Sequence, residues 1–337
     1  MADQITIQDA LRGCTVGPMQ TSGIMQVIPL LSDLECEAFS PPSEVLLSTT
    51  HYGKMSFRNP TDRTILIPAN ATYLTAKAAQ DHAMAVAGFV PGRKTKVYGN
   101  AMCVQQTQGG YIPEGQYRLS ILPMSLREEA VARRGEASYG KLWESITRLK
   151  QEARVTTGSR GGHLIDFFAA FDRQLDQFVA EFERIPGMVG AILLIGGRVV
   201  GVERAPSRAY WDDIWEPLVR TCYGAEAIRQ VQMGQGVTPR VAQVRAARDL
   251  DDLALALAEA RDADDESVRA TVREMVQDSF GVATEERQGD FTLAAIANSQ
   301  FVGQVVREGP RVHYLSVVSR RSFERHAPWH RAERFAI

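Results

Sequence analysis

The chain contains 337 residues, with 38 lysines and arginines against 40 aspartates and glutamates and a formal net charge of −2. Its hydrophobic fraction of 45% and charged fraction of 23% are those of a globular protein, and they exclude disorder as the main state. The balance of charge argues against a dedicated nucleic-acid-binding protein, because neutralising phosphates requires a basic excess.

The first part of the chain, up to residue 125, is predicted to be rich in β-strands. Short apolar or alternating segments are separated by turn signals such as Asn59-Pro60 and Pro91-Gly92. Strands are predicted over residues 25–31, 44–50, 54–58, 64–70, 72–76, 84–90 and 97–106. Many short strands with frequent turns predict a sandwich or barrel-like layer.

Helical patterns begin near residue 125. Ser125 is followed three positions later by Glu128, which is the spacing of a capping box at a helix start. Apolar residues recur at helical spacing over 139–154, which predicts a helix. Residues 164–185 carry phenylalanines at the same spacing and are predicted to form one long helix whose phenylalanine stripe lies in the core.

A hairpin and a divided helix follow. The apolar segments 190–195 and 198–203 flank Gly196-Gly197, a pair suited to the positive φ angles of a tight hairpin turn. The next helix is predicted to begin at Ser207 and to be kinked or divided at Pro217, because proline cannot donate a backbone hydrogen bond.

The last part of the chain is predicted to contain two helices and then three strands. The helices are predicted over 241–260 and 267–280, on either side of the acidic stretch 262–266. The strands are predicted as a meander over 291–297, 301–306 and 312–318.

This order of elements predicts the α+β class rather than a doubly wound sheet. We expect a β-rich N-terminal half, a helical middle with a β-hairpin, and a C-terminal three-strand meander. In terms of domains, we expect an N-terminal arm over 1–14 and one domain over 15–320, with a β-rich part (15–125) and an α/β part (126–320). A basic tail completes the chain over 321–337.

The sequence contains few signs of catalytic chemistry. Residues 157–162 are glycine-rich and precede a helix, so their N–H groups could hold a phosphate; a plain linker between helices is the favoured interpretation, because the Gly-Lys-Ser/Thr ending of a nucleotide loop is missing. There is no Gly-x-Ser-x-Gly nucleophile motif. His326 and His330 flank Pro328, which disrupts the spacing of a zinc helix. We therefore predict no catalytic residue, metal or cofactor.

The location of the protein is inferred from its start and its cysteines. The N-terminus lacks the basic and apolar regions of a secretory signal, and no apolar stretch approaches the roughly 18 residues of a membrane span. The four cysteines lie far apart, without a C-x-x-C pair: Cys14, Cys36, Cys103 and Cys222. Free thiols indicate a reducing compartment, so we expect a cytoplasmic protein without membrane contact.

Several segments, taken in order along the chain, resemble one family. The clearest match is 186–201, which contains the hairpin, together with 215–218. Further matches lie at 16–23, 27–30, 65–69, 76–77, 89–92, 103–106, 122–127, Trp143, 301–304 and 312–316. Over roughly residues 15–320 the sequence resembles the ARPP-1 domain family, the ARG and rhodanese–phosphatase-superfamily-associated proteins.

The resemblance implies a link to ADP-ribose or nucleotide chemistry, because the family name records gene neighbourhoods with ADP-ribosylglycohydrolases and phosphatases; no activity is established for the family. The family pattern places a glutamate before Gly-Ala-Lys-Gln-x-Arg, and later Cys-Val-Glu-x-Gly-Arg-Trp. Here Lys77 remains, while Thr72 and Gln80 stand at the glutamate and arginine positions, and Gln105 replaces the second acid. Charged groups of the family site are thus replaced by neutral ones.

Three hypotheses follow. The first is a non-catalytic binding or assembly protein that contacts itself or another protein. Its basic tail would supply three aromatic anchors, Phe323, Trp329 and Phe335, and the arginines of 320–334 complement the acids of 249–266.

The second hypothesis is a binding domain for an ADP-ribose-like or nucleotide ligand, and the third is a hydrolase acting on such a ligand. For both, the resemblance and the local sequence select the same wall residues: Lys77, Gln80, His82, Gln105 and Gln106. Enzymatic activity is the less favoured interpretation, because no catalytic constellation accompanies them.

Overall fold

A computed structural model describes residues 4–75, 79–106, 109–135, 140–156, 158, 160–234 and 248–320. The fold is α+β, with 30% helix and 37% strand, as the sequence predicts. Strands dominate the N-terminal part, helices occupy the middle, and antiparallel strands end the described chain.

The strands are numbered β1 to β21 in chain order. They are β1 (Gln4–Thr6), β2 (Thr15–Val16), β3 (Gln20–Ser22), β4 (Met25–Leu31), β5 (Phe39–Ser40), β6 (Leu46–His51), β7 (Lys54–Arg58), β8 (Thr64–Ile67), β9 (Ala71–Leu74), β10 (His82–Met84), β11 (Gly88–Val90), β12 (Thr95–Tyr98), β13 (Ala101–Cys103), β14 (Arg118–Ile121), β15 (Gly140–Lys141), β16 (Met188–Ile195), β17 (Arg198–Arg204), β18 (Ser279–Gln288), β19 (Phe291–Ala297), β20 (Phe301–Glu308) and β21 (Arg311–Ser319).

The helices are numbered in the same way. They are α1 (Ile7–Ala10), α2 (Met124–Ala132), α3 (Trp143–Glu152), α4 (Leu164–Ala170), α5 (Asp172–Glu181), α6 (Arg208–Glu216), α7 (Gly224–Gln232) and α8 (Leu250–Val276), with a 3₁₀ turn at Pro42–Glu44 and a π-helical segment at Pro217–Tyr223 between α6 and α7.

A ten-stranded sheet forms the centre of the molecule. Its order is β1-β18-β19-β20-β21-β17-β16-β4-β2, with β3 also paired to β4. The predicted hairpin is confirmed as β16 and β17, which turn at Gly196 and Gly197 with φ angles of 59° and 73°. The predicted meander is also confirmed as β19, β20 and β21. Both belong to one sheet, because β17 pairs with β21.

The side chains of this sheet alternate between two apolar layers, as expected for strands buried on both faces. Along β16, Ile192 and Leu194 pack in the layer that also contains Val268 and Met275 of α8. Leu193 and the other intervening residues face the layer formed with α6 and the N-terminal strands. The sheet therefore separates the long helix α8 from the β-rich part of the chain.

A five-stranded sheet, in the order β14-β9-β10-β13-β15, lies in the β-rich part. A third apolar cluster joins it to the helices of the middle of the chain, with Met102 packed among Leu126, Ile146 and Phe167. Two three-stranded sheets, β11-β8-β5 and β12-β7-β6, complete the strands.

A buried charged network links these layers. The Arg127 guanidinium lies 2.7 Å from the Glu203 carboxylate, and each side chain is 2% exposed. Arg127 also donates to Asn70 Oδ1 at 3.0 Å and to the Ser316 hydroxyl, while the Tyr223 hydroxyl donates to Glu203 at 2.7 Å. This Arg127–Glu203 network connects α2 with the ten-stranded sheet, with Asn70 directly before β9 of the five-stranded sheet, and with the π-helical segment.

The predicted single helix over 164–185 is divided into α4 and α5. The break lies at Phe171, whose φ and ψ of −119° and 21° are not helical. Phe167 and Phe171 pack in the cluster around α3, but Phe182 packs in the core between the β-rich part and the large sheet. The phenylalanines are core residues, as expected. Because the helix is broken at Phe171, those before the break and those after it can pack in two different apolar clusters.

Two other helix predictions are also wrong. The capping box at Ser125 is wrong, because α2 begins at Met124 after Pro123 and the buried Ser125 hydroxyl has no hydrogen-bond partner within the described part of the chain. The acidic stretch 262–266 does not separate two helices but lies inside α8, and its acids Asp262 and Glu266 are exposed. Residues 241–247 of the predicted first helix lie outside the described residues.

The end of the predicted second helix is instead part of β18. This strand was missed because Glu285, Glu286 and Arg287 give it a polar sequence. Most of its side chains are exposed or half-buried, so its place depends on backbone pairing with β19 rather than on apolar periodicity.

Candidate functional site

Four of the five wall residues selected from the sequence meet at one end of the five-stranded sheet. His82 is the first residue of β10 and Gln80 precedes it by two positions, while Gln105 and Gln106 follow β13. The strands pair antiparallel with His82 opposite Cys103, which brings the two segments together. Lys77 lies outside the described residues, as do the tail residues Phe323, Trp329 and Phe335.

His82 is fully buried and holds backbone segments together. Its Nδ1 lies 2.7 Å from the Gln80 carbonyl oxygen, which can only accept, so Nδ1 carries the proton. Nε2 can then accept the Gly53 N–H at 3.4 Å. Burial lowers the pKa of His82, so the ring is neutral near pH 7.

Asp81, which the sequence analysis did not select, is the acid of this cluster. One carboxylate oxygen accepts from the backbone N–H and the hydroxyl of Thr75, at 2.8 and 2.9 Å. Burial raises the pKa of Asp81 to about 6. The two hydrogen bonds from Thr75 act in the opposite direction, but the effect of burial is larger. One sign of this residue is present in the sequence: an aspartate in a segment, 79–87, that is otherwise mostly apolar. Its neighbours in the sequence do not form a catalytic motif.

Gln105 and Gln106 bind backbone groups as well. Gln105 Oε1 accepts from the Asp81 N–H at 3.3 Å. Gln106 Oε1 accepts from the Gly162 N–H at 2.9 Å, and the Gly162 carbonyl accepts from the Gln106 N–H at 3.0 Å. The glycine-rich segment therefore packs on Gln106, and its Gly162 N–H is already used. This contact supports the linker interpretation over phosphate binding.

A buried ion pair lies beneath the same glycine-rich segment. Lys150 Nζ is 3.0 Å from the Asp166 carboxylate, and both side chains are 9% exposed. Lys150 also donates to the Gly161 carbonyl at 3.2 Å. The pair ties α3 to α4 and fixes the helix start that follows the glycines.

An open cleft lies beside this cluster, between strands β9 and β14 on one side and α4 with the π-helical segment on the other. Its volume is about 490 Å³. Apolar and aromatic side chains form part of its lining, namely Leu74, Tyr117, Ile165, Phe168 and Ala169. Polar side chains form the rest, namely Thr75, Gln116, Arg118, Ser120, Asp172, Arg220 and Thr221. Thr75 belongs to both the cluster and the cleft, so the two are adjacent.

The arginines of the cleft are each paired with acids. Arg118 lies 2.6 Å from Glu216 at the exposed edge. Arg220, whose side chain is 7% exposed, lies 2.7 Å from Asp176 and also pairs with Asp172. The cleft therefore carries no net positive charge from these groups. Its hydroxyl, amide and aromatic groups suit a polar molecule with hydroxyls and a flat ring better than a bare chain of phosphates.

Two exposed tyrosines lie on loops attached to the other side of the cluster. Tyr52 and Tyr111 are 44% and 48% exposed, with ring centroids 5.4 Å apart. Gly53, next to Tyr52, donates to His82, and Gly110, next to Tyr111, accepts from the Gln80 N–H at 3.3 Å. These exposed rings can stack on a flat partner, and sequence analysis missed them because single tyrosines in turns carry no pattern.

The thiols and possible metal ligands of the described chain have other roles. No group of three histidine, cysteine, aspartate or glutamate side chains within it is arranged to hold a metal ion. Cys103 donates to the Gln105 carbonyl at 3.2 Å, and burial raises the pKa of Cys222 to about 12, so that this thiol stays protonated. Among the described helices, none is both long and apolar enough to cross a membrane.

The fold and the site define an α+β protein with a buried polar cluster and a cleft at one end of its five-stranded sheet. The chain belongs to the ARPP-1 family, the ARG and Rhodanese-Phosphatase-superfamily-associated Protein domain, whose model matches residues 13–313. This match confirms the resemblance noted in the sequence. No curated protein and no solved structure matches the chain.

Thr72, Gln80 and Gln105, which the sequence resemblance places at charged positions of the family pattern, are buried. The Thr72 hydroxyl donates to the Asn70 carbonyl at 3.2 Å. Gln80 and Gln105 are 5% and 2% exposed and contact each other through the Gln105 carbonyl. Neutral side chains at these positions form hydrogen bonds with the backbone, where unpaired charges would be costly to bury.

Proposed function

We propose that the protein is a non-catalytic binding protein on the ARPP-1 fold, and that its ligand occupies the cleft between β9, β14, α4 and the π-helical segment. The observation that carries this proposal is the cleft itself. It is open to solvent, has an aromatic wall, and contains several hydroxyl and amide groups within about 490 Å³. This size and mixture are usual for small-molecule sites.

The proposed ligand is a small molecule of the ADP-ribose or nucleotide class. Phe168 and Tyr117 offer aromatic surface for a base, while Gln116 offers hydrogen bonds for ribose hydroxyls. We include Lys77 in the site, because it follows Thr75 by two positions and would supply a positive charge to a phosphate. Gln80, His82, Gln105 and Gln106 support the site by fixing the strands behind it.

The absence of catalysis is proposed from how the polar groups are used. His82 is buried between two backbone partners, and the Asp81 carboxylate is engaged by Thr75. A general base must reach the proton that it removes, and both groups are closed off from the cleft by their burial of 99% or more.

Thermal unfolding of the full chain with adenosine, AMP or ADP-ribose tests the proposal. A ligand present at about 100 times its Kd should stabilise the protein by about 2.7 kcal/mol. Gln116→Ala, Arg118→Ala and Lys77→Ala should reduce the shift. Arg12→Ala should not, because it removes an exposed ion pair, with Asp9, that is not part of the cleft lining.

Two results would contradict the proposal. No stabilisation by any of the three compounds at millimolar concentration would exclude the ligand class. Hydrolysis of ADP-ribose by the wild type, abolished by Asp81→Asn, would show that the protein is an enzyme and that the hydrolase hypothesis is correct.

We propose as a second candidate that the protein assembles through its basic tail. The supporting observation is the N-terminal half of α8, where Leu250, Leu253 and Leu255 are 82%, 37% and 55% exposed. Acids lie among these leucines, including Asp251 and Glu259. The tail combines arginines with Phe323, Trp329 and Phe335, so it complements this helix in both charge and apolar character.

Light scattering coupled to size-exclusion chromatography tests assembly directly. We expect a multimer in low salt that is reduced to monomer by replacing Phe323, Trp329 and Phe335 with alanine, a change that keeps every arginine. Leu250→Ser with Leu255→Ser should have the same effect from the other side. A monomeric wild type at every salt concentration would rule out this candidate.

A further inference from the structure

A second and larger concavity lies on the opposite side of the molecule, between α8 and the strands β2, β3 and β4. Its volume is about 970 Å³. One wall carries Val16, Pro18, Met19 and Ile28, and the other carries Val268 and Val272 of α8. We call it the α8 groove.

The groove exists because the edge of the large sheet is interrupted there. β2 pairs with Leu30 and Leu31 of β4, and β3 pairs with residues 25–27, so the sheet edge lacks a strand opposite Ile28. Gly17 lies close against its neighbours, since a Cβ on it would lie 2.8 Å from Ile185 Cδ1. Val16 remains 65% exposed although its neighbours are apolar.

Two arginines line the groove on α8 and share one acid. Arg273 lies 2.8 Å from Glu266, and Arg269 lies 3.9 Å from the same carboxylate. Both guanidiniums are about two-thirds exposed, at 67% and 65%. Two positive charges against one negative charge leave these three side chains with a net charge of +1 beside an apolar wall.

We propose that the α8 groove binds a small amphiphilic carboxylate, with an unbranched apolar chain against Val16, Met19 and Val272 and the acid group at Arg269 and Arg273. An apolar wall attracts the chain by removing it from water. A guanidinium can bind a carboxylate through two parallel hydrogen bonds, which selects an acid over an alcohol of the same length. Glu266 competes with the ligand for both arginines.

Calorimetric titration of the full chain with decanoate, and with decanol as the uncharged control, tests this site. Decanoate should bind more tightly than decanol by roughly tenfold, which corresponds to about 1.4 kcal/mol. Arg269→Gln with Arg273→Gln should abolish that preference and leave decanol binding unchanged. Arg287→Gln, on β18 near the other edge of the sheet, is the matched control.

Glu266→Gln provides the sharpest variant, because it should increase affinity. With the competing carboxylate removed, both arginines are available, and decanoate should bind several-fold more tightly than to the wild type. Val16→Asp should weaken binding of decanoate and decanol alike, since it places a charge on the apolar wall.

The proposal is overturned if decanoate does not bind at millimolar concentration, if decanol binds equally well, or if Glu266→Gln leaves decanoate affinity unchanged. It is also overturned if Val16→Asp changes the oligomeric state of the wild type, because the groove would then be an interface between copies. These outcomes are independent of the nucleotide titrations, which concern the cleft beside the five-stranded sheet.

Discussion

Two of the buried polar clusters in the described part of the chain have opposite designs. The Arg127–Glu203 network is charged, and its side chains bind mainly one another. The cluster of Gln80, His82 and Gln105 consists of neutral groups around Asp81, and its side chains bind mainly the backbone. The Arg127–Glu203 network holds separate layers of the fold together. The cluster around Asp81 holds only the backbone at the ends of a few strands. The two clusters should therefore respond very differently to substitution.

The largest effect is expected from breaking the charged network. Arg127→Leu leaves Glu203 buried without its cation, which should lower the free energy of unfolding by about 3–5 kcal/mol. Urea unfolding of the full chain measures this loss. Arg127→Leu combined with Glu203→Leu should cost less than the single substitution, because no unpaired charge remains. A single-variant loss below about 1 kcal/mol would show that the network does not hold the layers together.

The next effect is a pH dependence that belongs to Asp81. Its pKa is raised from 3.8 to about 6, so the folded state binds this proton more tightly than the unfolded state. Its contribution to the free energy of unfolding therefore falls as pH rises from about 4 to about 6, by on the order of 2 kcal/mol. Asp81→Asn lacks this loss, and its stability relative to wild type should increase over that interval and then stay constant.

Chemical unfolding at a series of pH values measures this difference. Asp62→Asn is the control, because Asp62 is exposed beside Arg93, which lowers the pKa of its carboxyl instead of raising it. If the stability difference between Asp81→Asn and wild type is independent of pH, the carboxyl of Asp81 is not the buried acid that the structure describes.

A smaller effect is expected from a neutral side chain of the second cluster. Gln106→Ala removes the acceptor of the Gly162 N–H, and the loss of this hydrogen bond should cost about 1 kcal/mol. Hydrogen exchange of the Gly162 amide should accelerate more than exchange in β16. Uniform acceleration throughout the large sheet would instead indicate that Gln106 supports the entire fold.

The smallest effect on stability is expected at the exposed tyrosines. Tyr52→Ser with Tyr111→Ser removes an aromatic pair. Between buried rings such a pair contributes about 0.5–1.5 kcal/mol to stability in addition to the burial of its area. These rings are exposed, so we expect the free energy of unfolding to fall by less than about 1 kcal/mol. Thermal unfolding of the double variant measures it. A larger loss would show that the loops above His82 contribute to the core of the cluster.

Much of the secondary structure could be predicted because its causes are local. The hairpin at Gly196-Gly197 and the helix start at Ser207 depend on neighbouring residues alone, and both are present. The division at Phe171 could not be predicted, since it depends on which of two distant cores each phenylalanine enters. The strand β18 was hard to predict for the same reason, because its sequence is polar and its conformation depends on pairing with β1 and β19.

The candidate site was predictable in part. Gln80, His82, Gln105 and Gln106 were selected through the family pattern, and the pairing of β10 with β13 brings them together. Asp81 was missed because its role depends on the backbone N–H of Thr75, which is invisible in a pattern of side chains. The cleft was missed because its walls come from residues between 74 and 221, which only the folded chain makes neighbours.

The place of β1 in the large sheet sets an order on folding during synthesis. β1 pairs with β18, with Gln4 opposite Gly281, and β4 pairs with β16. β1 therefore stays unpaired until the chain as far as β18 has been synthesised. Such distant pairings slow folding and prolong the exposure of unpaired edges. We expect the segment of β1 to gain resistance to proteolysis only after β18 has formed.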